Sequence, residues 1–442
     1  MASSHLTGPA RRIGILAGGG SLPLEIADSV AARNVPVFLV GLDGEVDRSF
    51  APRRHVILKW GEIGRIIATL RAEGITDLVI VGFVRRPDVL RTRKDLGFYM
   101  ALPSVLGIMA SGGDDGVLRA VIRFLEAKGF RVVGPQAVAP EIVVHEGPLG
   151  REAPTPADHE DILKGYELVR RLAAFDIGQG VVFSNGRVEA IEGADGTDAM
   201  LERVARSRRA AGVTGVTSSR GVLVKRPKPG QEMRVDLPTI GPETVRRAVE
   251  AGLGGIAVLP GQALAAERAE LIRLADGARL FVAGIEDAES PEEPHVKGRW
   301  RAHAGAGVRF DMTRRMPSRR QEDDARKGAA ITAALARDGV GRGVVVVNGH
   351  VLAVEAGEGI SAMLARAAGL RQWGKGLFKK RKGALVIADP ARIDGSLVAA
   401  AAAAQLSGIA YVGVRDAVTP ATVAAAAAAK LWVMALSSVD GA

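Results

Sequence analysis

The sequence predicts an α/β protein: an N-terminal doubly wound, mostly parallel sheet, followed by two tandem α/β domains with mixed sheets. Three observations carry this. Through residue 134, apolar strand patterns alternate with amphipathic helical ones, which implies parallel strands joined by helical crossovers. Asn185-Gly186 and Asn348-Gly349 each separate two apolar strand patterns, a hairpin signal. Finally, GQGVVFSNGRVEAIEGADGTDAMLERVARSR (178–208) aligns without gaps to GRGVVVVNGHVLAVEAGEGISAMLARAAGLR (341–371), about half of the positions being identical. One domain is therefore present in tandem.

In chain order, RIGILAG (12–18) reads as a buried strand, and a helix runs from near Pro23 to about Arg33. VPVFLVGL (35–42) is the second strand, Ile63 to Glu73 a helix, and DLVIVGFV (77–84) the third strand. Helices near 103–110 and 115–128 precede strand RVVG (131–134). PLGREAPTPA (148–157), with three prolines, reads as a linker. The next domain holds helix 158–174, strands 178–184 and 187–192, helix 196–210 and strand 221–225. Helix 242–252, strand 254–258, helix 265–276 and strand 279–284 complete it. Residues 286–320, acidic and then basic, read as a flexible connector. GLGGIAV (252–258) returns as LSGIAYV (406–412), and ARLFV (278–282) as AKLWV (429–433). The expected divisions are 1–147, 158–285, a linker at 286–320, and a degenerate repeat at 321–442.

At 442 residues the chain exceeds what one core usually organises. Apolar residues make up 47% and aromatics 4%, so the cores rely on Leu, Val, Ile and Ala. Lys and Arg number 59 against 49 Asp and Glu, a formal charge of +10, which favours anionic partners. Few aromatics interleave the basic residues, which argues against a nucleic-acid partner. The absence of cysteine excludes disulfides, Cys-ligated zinc and thiol nucleophiles. MASSHLTGPARR carries no apolar core, and the Ala-rich stretches near 399–404 and 424–429 are too broken to span a bilayer. The expected location is the cytoplasm, with peripheral association at the cytoplasmic surface of the inner membrane.

Four places hold candidate chemistry. In ILAGGGSLPLEIA (15–27), Gly18, Gly19 and Gly20 stand between a strand and a helix, where backbone N–H groups can approach a phosphate. A tight turn with no ligand explains them equally well, and Pro23 stands where a dinucleotide fingerprint needs glycine. Asp43, ending the second strand, keeps a nicotinamide-dependent oxidoreductase open as an alternative. Arg85 and Arg86 follow the third strand, at the edge where such sheets bind ligands, and suit a diphosphate or plain solvent. Asp114 and Asp115 precede a helix: one is an N-cap by default, the pair a magnesium site in the functional reading. Thr197 and Asp198 open a further helix. KRPKPGQEMRVDLPTIGP (225–242) gathers Lys225, Lys228, Gln231, Arg234 and Asp236. Thr239 and Glu243 suggest an ordinary helix cap there. Cations beside a carboxylate are also what phosphoryl transfer requires. The sequence lacks GxxxxGK[ST] and any paired-His metallophosphoesterase pattern.

These elements resemble the LpxI family, the UDP-2,3-diacylglucosamine pyrophosphatases of lipid A synthesis. The matching pieces are LAGGGSLPLEIA (16–27), GFVRRP (82–87), GGDDGVLRAVIRFLEAKGFRVVG (112–134), DIGQGVVFSNGRVEAIEGADGTDAML (176–201) and VLVKRPKPGQEMRVDLPTIGPETV (222–245). They keep the family's order and cover roughly residues 10–285. The resemblance implies an N-terminal and a C-terminal domain that bind the lipid nucleotide, and magnesium-dependent hydrolysis to UMP and 2,3-diacylglucosamine 1-phosphate. It places the family's essential aspartate at Asp236, as ligand to magnesium or orienter of water. It makes Lys225 a second catalytic candidate, and Arg85, Thr197, Asp198, Lys228, Gln231 and Gly18–Gly20 substrate contacts, with Asp114 and Asp115 as further metal candidates. The departure is the additional C-terminal domain. There Thr197 and Asp198 become Ile360 and Ser361, Lys225 becomes Ile387, and Asp389 is the nearest counterpart to Asp236. The second copy is expected to be non-catalytic, packing on the first as an internal pseudo-dimer or in a homo-oligomer. A non-catalytic sensor of UDP-linked lipid precursors is the remaining alternative.

Overall fold

The computed structural model describes residues 11–84, 95–100, 114–212, 221–287, 309–370, 382–414 and 417–436. Contacts divide the chain into two compact units. The first comprises Met1–His145, Gln231–Pro242 and Pro260–Arg273; the second comprises Glu146–Gly230, Glu243–Leu259 and Leu274–Ala442.

In the first unit, β1 (Ile13–Ala17), β2 (Val37–Leu42), β3 (His55–Leu58), β4 (Asp77–Val81) and β5 (Arg131–Val132) form one parallel sheet in the order β3-β2-β1-β4-β5. This is the doubly wound arrangement the alternation predicts. Successive strand residues feed opposite faces. Ile13, Ile15, Leu39 and Val79 pack with Ile26 and Val30 of helix Leu22–Ala32. Phe38, Val40, Leu58 and Leu78 pack with Ile67 and Leu70 of helix Ile63–Ala72, and with Ile122 and Leu125 of helix Asp114–Ala127. Burial on both faces explains the continuous apolar runs. Strand β3 carries no comparable run: it is a short edge strand with only Leu58 fully buried, and the sequence gives it no signal. Two further short strands, β10 (Thr239–Ile240) and β12 (Leu264–Ala265), pair in parallel within this unit. Their segments place Leu237 and Leu264 in its core.

The second unit holds both tandem copies. The first copy's sheet runs β6 (Gly147–Pro148), β13 (Phe281–Gly284), β11 (Gly255–Val258), β9 (Val222–Lys225), β7 (Gly180–Ser184), β8 (Arg187–Ile191). The second runs β14 (Arg309–Asp311), β19 (Trp432–Leu436), β18 (Gly408–Val412), β17 (Ala384–Ile387), β15 (Gly343–Val347), β16 (His350–Val354). The sheets are mixed and their pairings correspond strand for strand. Even the register shift recurs, between Val182 and Phe183 and between Val345 and Val346. Asn185 and Asn348 take left-handed φ of 52° and 53°, followed by Gly186 and Gly349 at 72° and 82°, as a two-residue hairpin turn requires. At one edge of each sheet, β6 adjoins the stretch read as a linker and β14 lies in the stretch read as a connector, since two or three residues are too few to show a period.

Helix Pro156–Ala173 of the first copy and helix Arg319–Leu335 of the second bury Tyr166, Leu168, Val169, Ile331 and Leu335 in one core, with strand residues from both sheets. At its margin the two copies exchange charges. Arg203 pairs with Asp195 of its own copy and, at 3.1 Å, with Glu358 of the other. Arg366 pairs with Glu358 of its own copy and, at 3.8 Å, with Asp195. Asp195 and Glu358 occupy equivalent places in the two copies, as do Arg203 and Arg366. The contact is thus approximately two-fold, as between the subunits of a symmetric dimer.

Each hairpin turn is held by a helix carboxylate. Asp161 accepts the Gly186 N–H at 2.7 Å; Asp324 accepts the Asn348 and Gly349 N–H groups at 2.9 and 2.6 Å. Burial pushes the Asp324 carboxyl up to about 6. The native state therefore holds a proton there, above the ordinary carboxylate range, that the unfolded chain releases. This group's contribution to stability is full at the acid end and declines as pH rises toward about 6. Denaturant midpoints across that window should flatten in Asp324→Asn; an unchanged slope counts against the assignment.

Candidate functional site

The strand order reverses between β1 and β4, and ligands bind such sheets outside the carboxyl ends at that point. Gly18–Gly20 lie there, directly after β1. The Gly18 N–H donates to the Val81 carbonyl at 2.9 Å, the Gly19 N–H to the Phe83 carbonyl at 2.8 Å, and the Phe83 N–H returns to Gly19 at 2.9 Å. A Cβ at Gly18 would stand 2.3 Å from the Phe83 oxygen, so close approach of two backbones requires glycine. Gly20 has φ +92° and donates its N–H to the Asp47 carboxylate at 2.9 Å. The anion on this turn is thus a side chain of the protein itself. Asp43 is exposed at the end of β2. The N–H groups of Gly18 and Gly19 thus bond backbone carbonyls and that of Gly20 a side-chain carboxylate.

Asp236 also belongs to the first unit, in the segment Gln231–Pro242. Its N–H donates to the Glu232 carbonyl at 3.1 Å, and its own carbonyl accepts from Gln231 Nε2 at 2.6 Å. Glu232 also receives the Arg234 guanidinium at 2.8 Å, which reaches Glu126 at 2.8 Å as well. Met233 and Leu237 join the core that includes Ile15; Val235 packs against the core on the opposite face. A segment reaching both cores must round an edge of the sheet. Its bonds to Glu126 and Gln136, which flank β5 in sequence, identify that edge as β5. Asp236 is half-buried on this wrap, its main chain fixed by its neighbours. Thr239 lies in a strand, its hydroxyl donating to the Leu237 carbonyl at 3.2 Å, and Glu243 pairs with Arg246 and Arg247. The helix-cap reading of that pair does not survive.

Lys225 and Lys228 lie in the second unit. Lys225, at the carboxyl end of β9 and 5% exposed, donates to the Thr197 hydroxyl at 2.8 Å. Thr197 donates to Glu192 Oε1 at 2.8 Å, and the Gln179 N–H donates to Glu192 Oε2 at 3.1 Å. This chain of cation, hydroxyl and carboxylate is built from the ends of β8 and β9 and the first turn of helix Gly196–Ala210. In the second copy Glu355 keeps the equivalent amide bond, to Arg342, while Ile360 and Ile387 replace Thr197 and Lys225. Glu192 thus has a structural task common to both copies; the Lys–Thr pair is particular to the first. Lys228 bonds Asp176 at 2.6 Å, and Asp198 is exposed. Asp389 caps a short turn, accepting the Ala391 N–H at 3.0 Å.

Arg85 and Arg86 lie outside the described residues, as do the side chains of Asp114 and Asp115, whose backbone opens helix Asp114–Ala127. Two groups of the first copy have no place in the sequence reading. One is Glu192, whose only signal is a carboxylate ending an apolar strand. The other is the buried pair Arg226–Asp287 at 2.8 Å, with Arg226 near the Tyr166 ring. Burial pushes the Tyr166 hydroxyl above its ordinary range, and it donates to the Ile285 carbonyl at 3.0 Å. Asp287 falls in the stretch read as a connector.

A doubly wound sheet followed by a duplicated mixed sheet, with a Lys/Asp-bearing loop after the third strand pattern of the first copy, defines the class. The LpxI N-terminal domain matches residues 12–142, and the LpxI C-terminal domain matches twice, over 145–283 and 309–437. The chain belongs to the LpxI family. It is similar to the UDP-2,3-diacylglucosamine pyrophosphatase LpxI of Caulobacter vibrioides, 40% identical over 282 residues, which is 64% of this chain and 100% of the relative. That relative is spanned completely by less than two-thirds of this chain, so it has no counterpart for one C-terminal copy. Among the described residues, no helix is long and apolar enough to cross a membrane.

Proposed function

We propose that this chain is a hydrolase that splits the diphosphate of UDP-2,3-diacylglucosamine into UMP and 2,3-diacylglucosamine 1-phosphate. The observation that carries this is the 40% identity over the full length of a relative named for that pyrophosphatase. Water oxygen bonds to the phosphorus on the sugar side; the bond from that phosphorus to the bridging oxygen breaks, and the bridging oxygen leaves with UMP. Asp236 orients the water or holds a magnesium ion, and Lys225 offsets charge on the phosphoryl oxygens. Isotopically labelled water should leave its oxygen in the sugar phosphate. Label appearing in UMP instead would overturn this direction of attack.

Magnesium needs only one or two protein carboxylates when phosphates and waters complete its shell. Among the described residues no three His, Cys, Asp or Glu side chains form a metal-holding group. A half-buried single carboxylate at Asp236 fits that modest demand, with Asp114 and Asp115 as further candidates. Bound there, the ion would neutralise phosphate charge.

The second copy supplies a built-in control for Lys225. Its fold accommodates Ile360 at the start of a helix and Ile387 at the end of a strand, at the positions of Thr197 and Lys225. There Glu355 also takes the Arg342 guanidinium at 3.3 Å, where the first copy has Gln179. The variant Gln179→Arg/Thr197→Ile/Lys225→Ile, which copies all three positions, should fold with unchanged circular dichroism and lose turnover on the order of 10²–10³-fold. Turnover equal to that of the parent would remove Lys225 from the mechanism.

A further inference from the structure

The second copy carries an open groove of about 1050 Å³ between the segment Met312–Arg315 and helix Pro420–Ala428. Its floor includes Val423, Ala424 and Ala427; its rim includes Arg314, Arg315 and Lys430. Arg315 donates one guanidinium N–H to the Lys430 carbonyl at 3.0 Å, which anchors the rim; a guanidinium has five such donors.

The first copy shows what this place ordinarily looks like. Phe281 pairs with Gly255 as Trp432 pairs with Gly408, so Arg273 corresponds to Ala424 and Asp276 to Ala427. The N–H of Leu149 meets Val282 as that of Met312 meets Val433, so Arg151 corresponds to Arg314. In the first copy the Arg151 N–H donates to Asp276 at 2.8 Å, and their side chains pair at 3.7 Å. The helix there, RAELIRLADG, also carries an Arg273–Glu270 pair at 2.7 Å. The second copy's helix, PATVAAAAA, has no charge at all, yet Pro420, Ala421, Ala424 and Ala427 are exposed. The acid that meets the arginine segment is gone, a cation stays at Arg314 and at Lys430, and Arg315 stands where the first copy has Glu152.

We propose that this groove docks an anionic phospholipid bilayer. The alanine face takes acyl chain, and Arg314, Arg315 and Lys430 take headgroup phosphates. An apolar floor beside cations, with no carboxylate among the described lining residues, is complementary to an anionic amphiphile. Two of the most exposed large apolar side chains stand close by in sequence: Met316, 59% exposed, directly after Arg315, and Val414, 74% exposed, ahead of the lining residue Val418. The chain's +10 charge acts in the same direction.

The test is co-sedimentation of the full chain, without substrate, with vesicles of phosphatidylcholine alone or mixed with phosphatidylglycerol. The parent should partition to the mixed vesicles. Ala424→Glu/Ala427→Asp, which restores the first copy's Asp at one position, and separately Arg314→Glu, should each weaken partitioning on the order of tenfold, with circular dichroism unchanged. Equal partitioning to both vesicles, or a variant that binds like the parent, overturns the proposal. So does a parent that ignores vesicles but forms a dimer in gel filtration that these substitutions dissociate, which would assign the face to a second copy of the chain. None of these readouts depends on the diphosphatase reading.

Discussion

Asp236→Asn should lower turnover about 10³-fold, the scale expected when a positioned acid–base group is removed, with substrate binding largely retained. The fold gives reason to expect a clean result. The Asp236 main chain is held by Glu232 and Gln231, and its neighbours Val235 and Leu237 are anchored in the two cores of the first unit. Its half-buried side chain is no part of either core. UMP release should collapse, and thermal denaturation of the variant checks that the fold persists. The measurement pairs initial rates of UMP release with equilibrium binding of the substrate. Parent-like turnover would end the assignment; loss of both folding and turnover would make the residue structural.

Removing the second copy should be equally telling. Deleting residues 309–442 exposes the half of the shared core facing Ile331, Leu335, Val344 and Val346, and leaves Arg203 without Glu358. The exposed surface complements itself, because Asp195 and Arg203 hold the places that Glu358 and Arg366 hold in the other copy. The truncated chain should self-associate, as a dimer rebuilding the two-fold contact or as aggregate, where the full chain has that surface satisfied internally. In the full chain, Arg366→Ala leaves Asp195 and Glu358 sharing one cation in a mostly buried cluster. The expected loss is about 3–5 kcal/mol of unfolding free energy, read by denaturant titration of the second unit. A soluble, monomeric truncation of unaltered stability would show that the shared core contributes nothing.

Much of this was legible because burial imposes periodicity. The runs around Ile15, Leu39 and Val79 announced strands buried on both faces, and Asn185 and Asn348 announced their turns through a backbone conformation few residues accept. Duplication was legible because both copies solve the same packing problem with the same residues. What escaped is non-local. That residues 231–242 join the N-terminal sheet depends on contacts between Leu237 or Met233 and strands some two hundred positions earlier. Asp195 and Arg203 look like ordinary helical surface charges until a second helix end is brought against them. Their recurrence as Glu358 and Arg366 was the available signal. The glycine turn was legible as a turn, but not that Asp47 supplies its anion.

The return of residues 231–242 and 260–273 into the first unit also bears on biosynthesis. Leu237 and Leu264 are core members of a sheet whose last strand ends at Val132. A ribosome that has delivered the first 145 residues has therefore not delivered the whole of that core. The N-terminal sheet can reach its final packing only after the strands of the following domain have emerged as well, so the two ripen together instead of in succession.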